Sequence, residues 1–261
     1  MATLINDIQI TGSLGNLSYY KIRGSDKIVV RRKGDPSGKR VKEAPEFERT
    51  RENNREFGGR STAAKYIKSS LHALNVIADY NFTGPLNALL RLVQVTDTVS
   101  DRGERNVLIS KNPRLLEGVQ LNRRNQLESI VRAPLSYSLQ DQQVVIDLPE
   151  LIPGINFITP ASYPFYRFIA LTAMIPDFYY TRERGKYQAQ FGSYNTINRS
   201  TDWLPVTSRT NASKLIIDGF PANKPDNASI LIALGISFGA INGAEIEPVN
   251  YVGAARIIGM I

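Results

Sequence analysis

The chain has 261 residues, 42% of them hydrophobic and 21% charged, so it can bury a full core and does not have a disordered composition. It has no cysteine and one histidine, His72, which excludes disulfides, thiolate nucleophiles, Cys-ligated metals and multi-histidine metal clusters. The formal charge of +8 is lopsided: residues 1–68 hold 15 Lys/Arg against 8 Asp/Glu, whereas residues 126–261 hold 10 against 11.

The first residues have no basic, apolar leader, and no apolar run is long enough to span a bilayer. The expectation is a protein that is cytoplasmic on synthesis, with release by lysis or a leaderless route open to it. The Asn-X-Ser/Thr sequons at Asn16, Asn81, Asn198, Asn211 and Asn227 then read as chance matches.

In chain order, residues 3–12 alternate around Ile8 and Ile10 and predict a short strand or extended arm. A β-hairpin follows, with Leu17, Tyr19 and Lys21 on one side, Ser18, Tyr20 and Ile22 on the other, a turn at Gly24-Ser25-Asp26, and Ile28, Val29 and Val30 returning. Residues 35–45 have turn formers and charge without periodicity and predict a loop. Glu46–Phe57 predicts a solvated helix ending near Gly58-Gly59. A second helix carries Ala63, Ala64, Ile67, Leu71, Leu74, Ile77 and Ala78 on one stripe. A third starts at Thr83 as N-cap, and a short fourth at Asn112-Pro113.

After Arg124 the character changes to short β-branched or aromatic runs separated by Pro, Gly and Asn, which predict an antiparallel sandwich or barrel. Gly185–Arg209 reads as a long surface excursion. The chain ends in an apolar run with Ile257, Ile258 and Ile261, which predicts a paired terminal strand. The expected fold is therefore α+β: a basic arm, hairpin and helical layer over 1–125, then an antiparallel β-sandwich over 126–261.

Few motifs carry chemistry. Gly12-Ser13-Leu14-Gly15 lacks the Gly-Lys-Ser/Thr and following helix of a phosphate loop, so turn glycines are the better reading. His72 lies one residue off its helical stripe, and Glu245 and Glu247 suit a solvated strand face better than a catalytic or metal pair. The pairs Phe165-Tyr166 and Tyr179-Tyr180 could stack bases but more often fill cores. No cofactor, metal or catalytic residue is expected, and the protein reads as non-enzymatic.

The basic segment is the strongest signal: Arg31, Arg32, Lys33, Lys39, Arg40 and Lys42 fall within twelve residues with Asp35 as the one acid among them. Such a cluster can bind nucleic acid or another polyanion, although interleaved aromatics and a recognition helix are missing. It can equally meet an acidic face of a neighbouring subunit.

The stretch "TGSLGNLSYYKIRGSDKIVVRRKG", with "PEFERTRENNREFGG" and "AAKYIKSSL" after it, resembles the start of uncharacterised proteins common in Bacteroidota. The likeness covers about residues 11–71. It implies a reusable hairpin-plus-helix module followed by a variable β region, and it assigns no activity.

These readings converge on a structural subunit that assembles with itself into a tube, filament or shell. The expected contacts are the N-terminal arm and hairpin (Ile8, Ile10, Tyr19, Tyr20, Ile28, Val30) and the terminal strand (Ile257, Ile258, Ile261), adding strands to a neighbour's sheet. The alternative is a nucleic-acid or polyanion-binding module gripping through 31–42.

Overall fold

The computed structural model describes residues 2–4 (backbone alone), 10–22, 25–34, 36–190, 196–219 and 224–261. It is an α+β chain with antiparallel sheets, and it divides into two compact units, Met1–Arg51 and Glu52–Ile261. No described helix is long and apolar enough to cross a membrane.

The first unit is a four-stranded antiparallel sheet of β1 (Ala2–Leu4), β2 (Gly12–Leu14), β3 (Leu17–Lys21) and β4 (Ile28–Arg32), in the order β1-β4-β3-β2. β3 and β4 pair from Leu17↔Arg32 to Lys21↔Ile28, and β1 takes the far edge of β4. The predicted turn falls partly at residues 23–24, outside the described residues. The expected loop over 35–45 is corrected: Gly38–Glu43 is a short helix, α1. Ser37 caps it by accepting from the Arg40 N–H at 3.2 Å, a local hydrogen bond that stands in for the missing apolar periodicity.

The second unit has three layers. A helical layer contains α2 (Glu48–Ser70, whose first residues belong to the first unit) and α3 (Thr83–Val95), with 3₁₀ turns at His72–Leu74 and Pro113–Leu116. The middle layer is a sheet of β7 (Phe165–Pro176), β10 (Thr196–Ser200), β11 (Leu204–Pro205), β13 (Ala228–Asn242) and β14 (Glu245–Met260). The third is a sheet of β5 (Ser136–Gln140), β6 (Gln143–Leu148) and β12 (Ser213–Ile217). Two smaller elements complete it, the helical turn α4 (Leu127–Ile130) and the hairpin of β8 (Phe178–Thr181) and β9 (Lys186–Ala189). The change in sequence character near residue 125 marks a change of layer inside this unit.

Strand alternation explains the layers. On β7 and β13, Ile169, Leu171, Leu231 and Ala233 join Ile67, Leu71, Leu74 and Leu90 in one buried cluster. Their sequence neighbours Phe168, Ala170, Ile232, Leu234 and Ile236 join Val144, Ile146, Leu215 and Ile217 in a second. Each fully buried Leu, Ile or Phe contributes about 2 kcal/mol, so the two-sided burial of β13 and β7 is a large apolar term in the sheet.

Three helix expectations are corrected. α2 does not stop at Gly58-Gly59 but runs through both, because the Tyr187 ring lies against Gly59 so closely that a Cβ there would stand 2.7 Å from it. Glu52 and Glu56 are buried rather than solvated. Thr83 is the first helical residue of α3 rather than its cap; Phe82 precedes it without a side-chain cap, and Asn81 Oδ1 accepts from the N–H and hydroxyl of Thr83 at 3.2 and 2.7 Å. The excursion over 185–209 also contains strand, in β9, β10 and β11.

The β13–β14 ladder is interrupted twice, by a one-residue bulge at Ile258, between the Ile232↔Gly259 and Ala233↔Ile257 pairs, and by a larger slip further on. Ser237 pairs with Gly253 and Gly239 with Pro248, so residues 249–252 face Phe238 alone. This larger slip needs Gly253 at φ +125°, where a Cβ would run into the Ile236 carbonyl oxygen. Gly253→Ala is therefore expected to cost roughly 3–5 kcal/mol, from combined strain and backbone clash. Urea unfolding monitored by circular dichroism measures it, and a loss below about 1 kcal/mol would show that the slip does not depend on this glycine.

Candidate interaction surfaces

In the N-terminal sheet, register places Leu14, Leu17, Tyr19, Val30 and Ile28 on one face, together with Lys21 and Arg32. Leu14 is 66% exposed, Leu17, Tyr19 and Val30 are half-buried, and Ile28 is buried. Tyr20 is on the opposite face, with the Arg31 guanidinium 5.6 Å from its ring centre. Ile10, just before β2, is exposed, and Ile8 lies outside the described residues. Ile28 and Val29 are the only buried residues described in this unit, and neither belongs to the two large apolar clusters.

The basic set is split between two elements. Arg31 and Arg32 end β4, Lys33 follows, and Lys39, Arg40 and Lys42 lie on α1. All six are exposed. Arg40 is already engaged, donating through Nε and a terminal nitrogen to Glu46 Oε1 at 3.1 and 2.9 Å. Such an exposed pair contributes little stability but takes one cation out of the free set.

The terminal-strand residues are engaged within the chain. Ile257 is fully buried in the helix-side cluster, and Ile258 and Ile261 pack against the other. β14 pairs with β13 on one edge, and on the other Gly118 and Leu121 donate to the Ile257 and Ala255 carbonyls, while Ile257 donates to Val119. Ile261 closes the run by exchanging hydrogen bonds with Ile230. The main-chain groups that strand addition would need are in use over this stretch.

The sequence reading missed a polar cluster built along α2. Arg105 donates to both oxygens of Glu56, at 2.7 and 2.8 Å, and the Gly103 N–H donates to Oε1 at 2.9 Å. The Arg105 carbonyl accepts from Gln94 Nε2 and the Tyr187 hydroxyl at 2.8 and 2.9 Å, and Arg60 donates to Gln94 at 2.9 Å. Asp97 holds the same loop by accepting from the N–H groups of Val99, Ser100 and Asn106. Burial pushes the Glu56 carboxyl up, but Arg105 and the Gly103 N–H together outweigh it and hold it below its ordinary 4.5. The signal was present: Glu52 and Glu56 at repulsive i,i+4 spacing call for cations from elsewhere, which Arg102 and Arg105 supply.

Beside this cluster lies a groove of about 400 Å³ lined by Asn54, Arg55, Gly58 and Thr62 of α2 and by Tyr180, Gly185, Lys186 and Tyr187. The Arg55 guanidinium stands 6.0 Å from the Tyr180 ring centre and 4.0 Å from Glu104, and Glu104 itself takes a 2.6 Å bond from Arg182. Lys186 has no partner among the described residues. Gly58 is exposed, and a Cβ there would touch nothing within 4 Å, although glycine in an exposed helix costs about 1 kcal/mol relative to alanine. The groove offers cations and backbone, with no nucleophile–base pair. Asp177, whose carboxyl burial pushes up, is held inside the unit by Ser110 through its N–H at 2.8 Å and hydroxyl at 2.6 Å.

His72 is exposed on its 3₁₀ turn, and Glu245 and Glu247 are exposed near the tip of the β13–β14 hairpin. Phe165, Tyr166, Tyr179 and Tyr180 lie in strands, and of these Tyr166 is fully buried in the core while the others are half-buried. No family model matches the chain, and no curated protein or solved structure is detectably similar to it.

Because the folded Glu56 carboxyl titrates below its unfolded value, its stabilisation is complete above pH 4.5 and is lost as pH falls through the lower folded value. Glu56→Gln is expected to cost about 2–4 kcal/mol at pH 7 and to flatten the acid limb of stability below pH 4.5. Urea midpoints measured from pH 7 to pH 3 test this; parallel wild-type and mutant curves would remove Glu56 from that limb.

Proposed function

We propose that this protein is a non-enzymatic structural subunit that assembles with itself into a tube, filament or shell through its N-terminal unit. The observation that carries this reading is that the described residues of the unit form no buried apolar cluster of their own. It has 51 residues and strands of three to five residues, a size at which a lone core is marginal. Its row of Leu14, Leu17, Tyr19 and Val30 is left half-exposed, and its edge strand β2 is exposed throughout. A sheet face with this exposed apolar row, rimmed by Lys21 and Arg32, and with an open edge favours burial against a second copy. The β1–β4 pairing can also be made between copies at little cost, since exchange re-forms the same hydrogen bonds.

The C-terminal strand plays no part in this exchange, and the finer architecture that goes with the reading is a sandwich of the β7–β13–β14 and β5–β6–β12 sheets as a rigid body between contacts. Deleting residues 1–16, which removes β1 and β2, is expected to leave a soluble protein with wild-type cooperative unfolding that no longer assembles. Light scattering and sedimentation read this, and normal assembly by the truncated protein would remove the arm from the mechanism.

A second reading, nucleic-acid or polyanion binding, is favoured by the six exposed cations of 31–42. Replacing Arg31, Arg32, Lys39 and Arg40 by Gln is expected, on that reading, to reduce the log–log salt slope of DNA or RNA binding by about 3–4. An unchanged slope would exclude the segment as the grip.

A further inference from the structure

The β13–β14 ribbon runs past the sheet to which it belongs. Pairing with β7 ends at Gly239↔Phe165, and residues 240–242 and 245–247 pair only with each other around Gly243-Ala244. The slip at 249–252 sets this arm off from the sheet. Residues 240–250 contain Glu245 and Glu247 and no cation. Ala240 faces Glu247 and Asn242 faces Glu245, so both carboxylates share one face, while Ile241 and Ile246 share the other. Glu245 and Glu247 are exposed, and Ile241 is 65% exposed.

The α2 groove lies at the opposite end of the same sheet. β13 begins at Ala228 beside Pro176, two residues before Phe178 opens the β8–β9 hairpin that walls the groove. β7 spans this interval with 12 residues, which at strand rise is about 35 Å. Arm and groove of one chain therefore stand at opposite ends and do not meet. Their charges are complementary: acids without cations on the arm, and Arg55 and Lys186 in the groove, with exposed Arg184 adjacent and Glu104 committed to Arg182.

We propose that the arm of one copy seats its Glu245–Glu247 face in the groove of the next copy, against Arg55 and Lys186. Bare helix backbone at Gly58 lets the arm come close, which accounts for a glycine that no contact within the chain explains. The contact rests on the self-assembly reading and names a second interface for it. It is head-to-tail, so repetition gives a ring where the rotation closes and a filament where it does not. Charge complementarity of this kind fixes register and makes association depend on salt.

The test uses two full-length variants, one with the arm reversed (Glu245→Lys, Glu247→Lys) and one with the groove reversed (Arg55→Glu, Lys186→Glu). Each alone should keep the wild-type circular dichroism and lose assembly, read as at least a tenfold fall in scattering mass. Mixed in equal amounts, the two should assemble again, because each arm then meets a groove of opposite charge. Gly58→Ala should raise Tm by roughly 2–4 °C and weaken assembly. Wild-type assembly by either reversed variant alone, or no recovery on mixing, overturns the arm–groove contact; wild-type assembly by Gly58→Ala overturns the close approach. If the 1–16 deletion still abolishes assembly in those cases, the self-assembly reading stands without this interface. A wild-type protein that stays monomeric at all concentrations overturns both.

Discussion

The second unit depends on one strand being dry on both faces. From Ala228 to Gly239 every residue of β13 is buried, which requires a helical layer on one side and a second sheet on the other. The β-branched and Leu residues alternate between the two clusters, so neither layer can be lost without exposing half of the strand. β7 and β14, which pair with β13 on its two edges, inherit the same constraint. The hydroxyls of Thr172, Ser229 and Ser237 are buried in these strands without a hydrogen-bond partner among the described residues, a cost the apolar burial around them must offset.

Most of this sheet was legible in the sequence because its strands announce themselves. "FYRFIALTAMI" and "SILIALGISFG" are too long and too apolar to face water on either side. The helical stripe from Ala63 to Ile77 was equally plain, though the last part is 3₁₀ rather than α. What failed were local signals overridden by tertiary contact. Gly58-Gly59 reads as a helix end, but Tyr187, more than a hundred residues away, packs on Gly59 and the helix continues. Glu52 and Glu56 read as solvated because their cations come from the loop at 102–105. The cap by Ser37 was missed because a six-residue helix has too few turns to show a period.

The candidate surfaces were only half visible. Charge segregation pointed to the N-terminal unit, and the structure adds that its apolar row is left without a cluster. The terminal isoleucines read as a paired strand, but a sequence cannot show that the pairing is to β13 of the same chain, with the segment 118–121 along the outer edge. The groove on α2 had no sequence signal beyond a glycine that breaks no helix. It takes two separated segments, α2 and the β8–β9 hairpin, to form, and only the fold brings Arg55 and Lys186 together.

Trp203 is the chain's one tryptophan. Its ring packs on Gly239, where a Cβ would come within 2.7 Å of it, and the Arg167 guanidinium sits 4.5 Å from the ring. Gly239 is also the last residue of β13 to pair with β7, so the indole marks the root of the protruding arm. The molecule thus contains a native fluorophore at the point where the arm leaves the body. Its emission will follow the wetting of that root as the arm bends or becomes covered, with no other indole to confuse the signal.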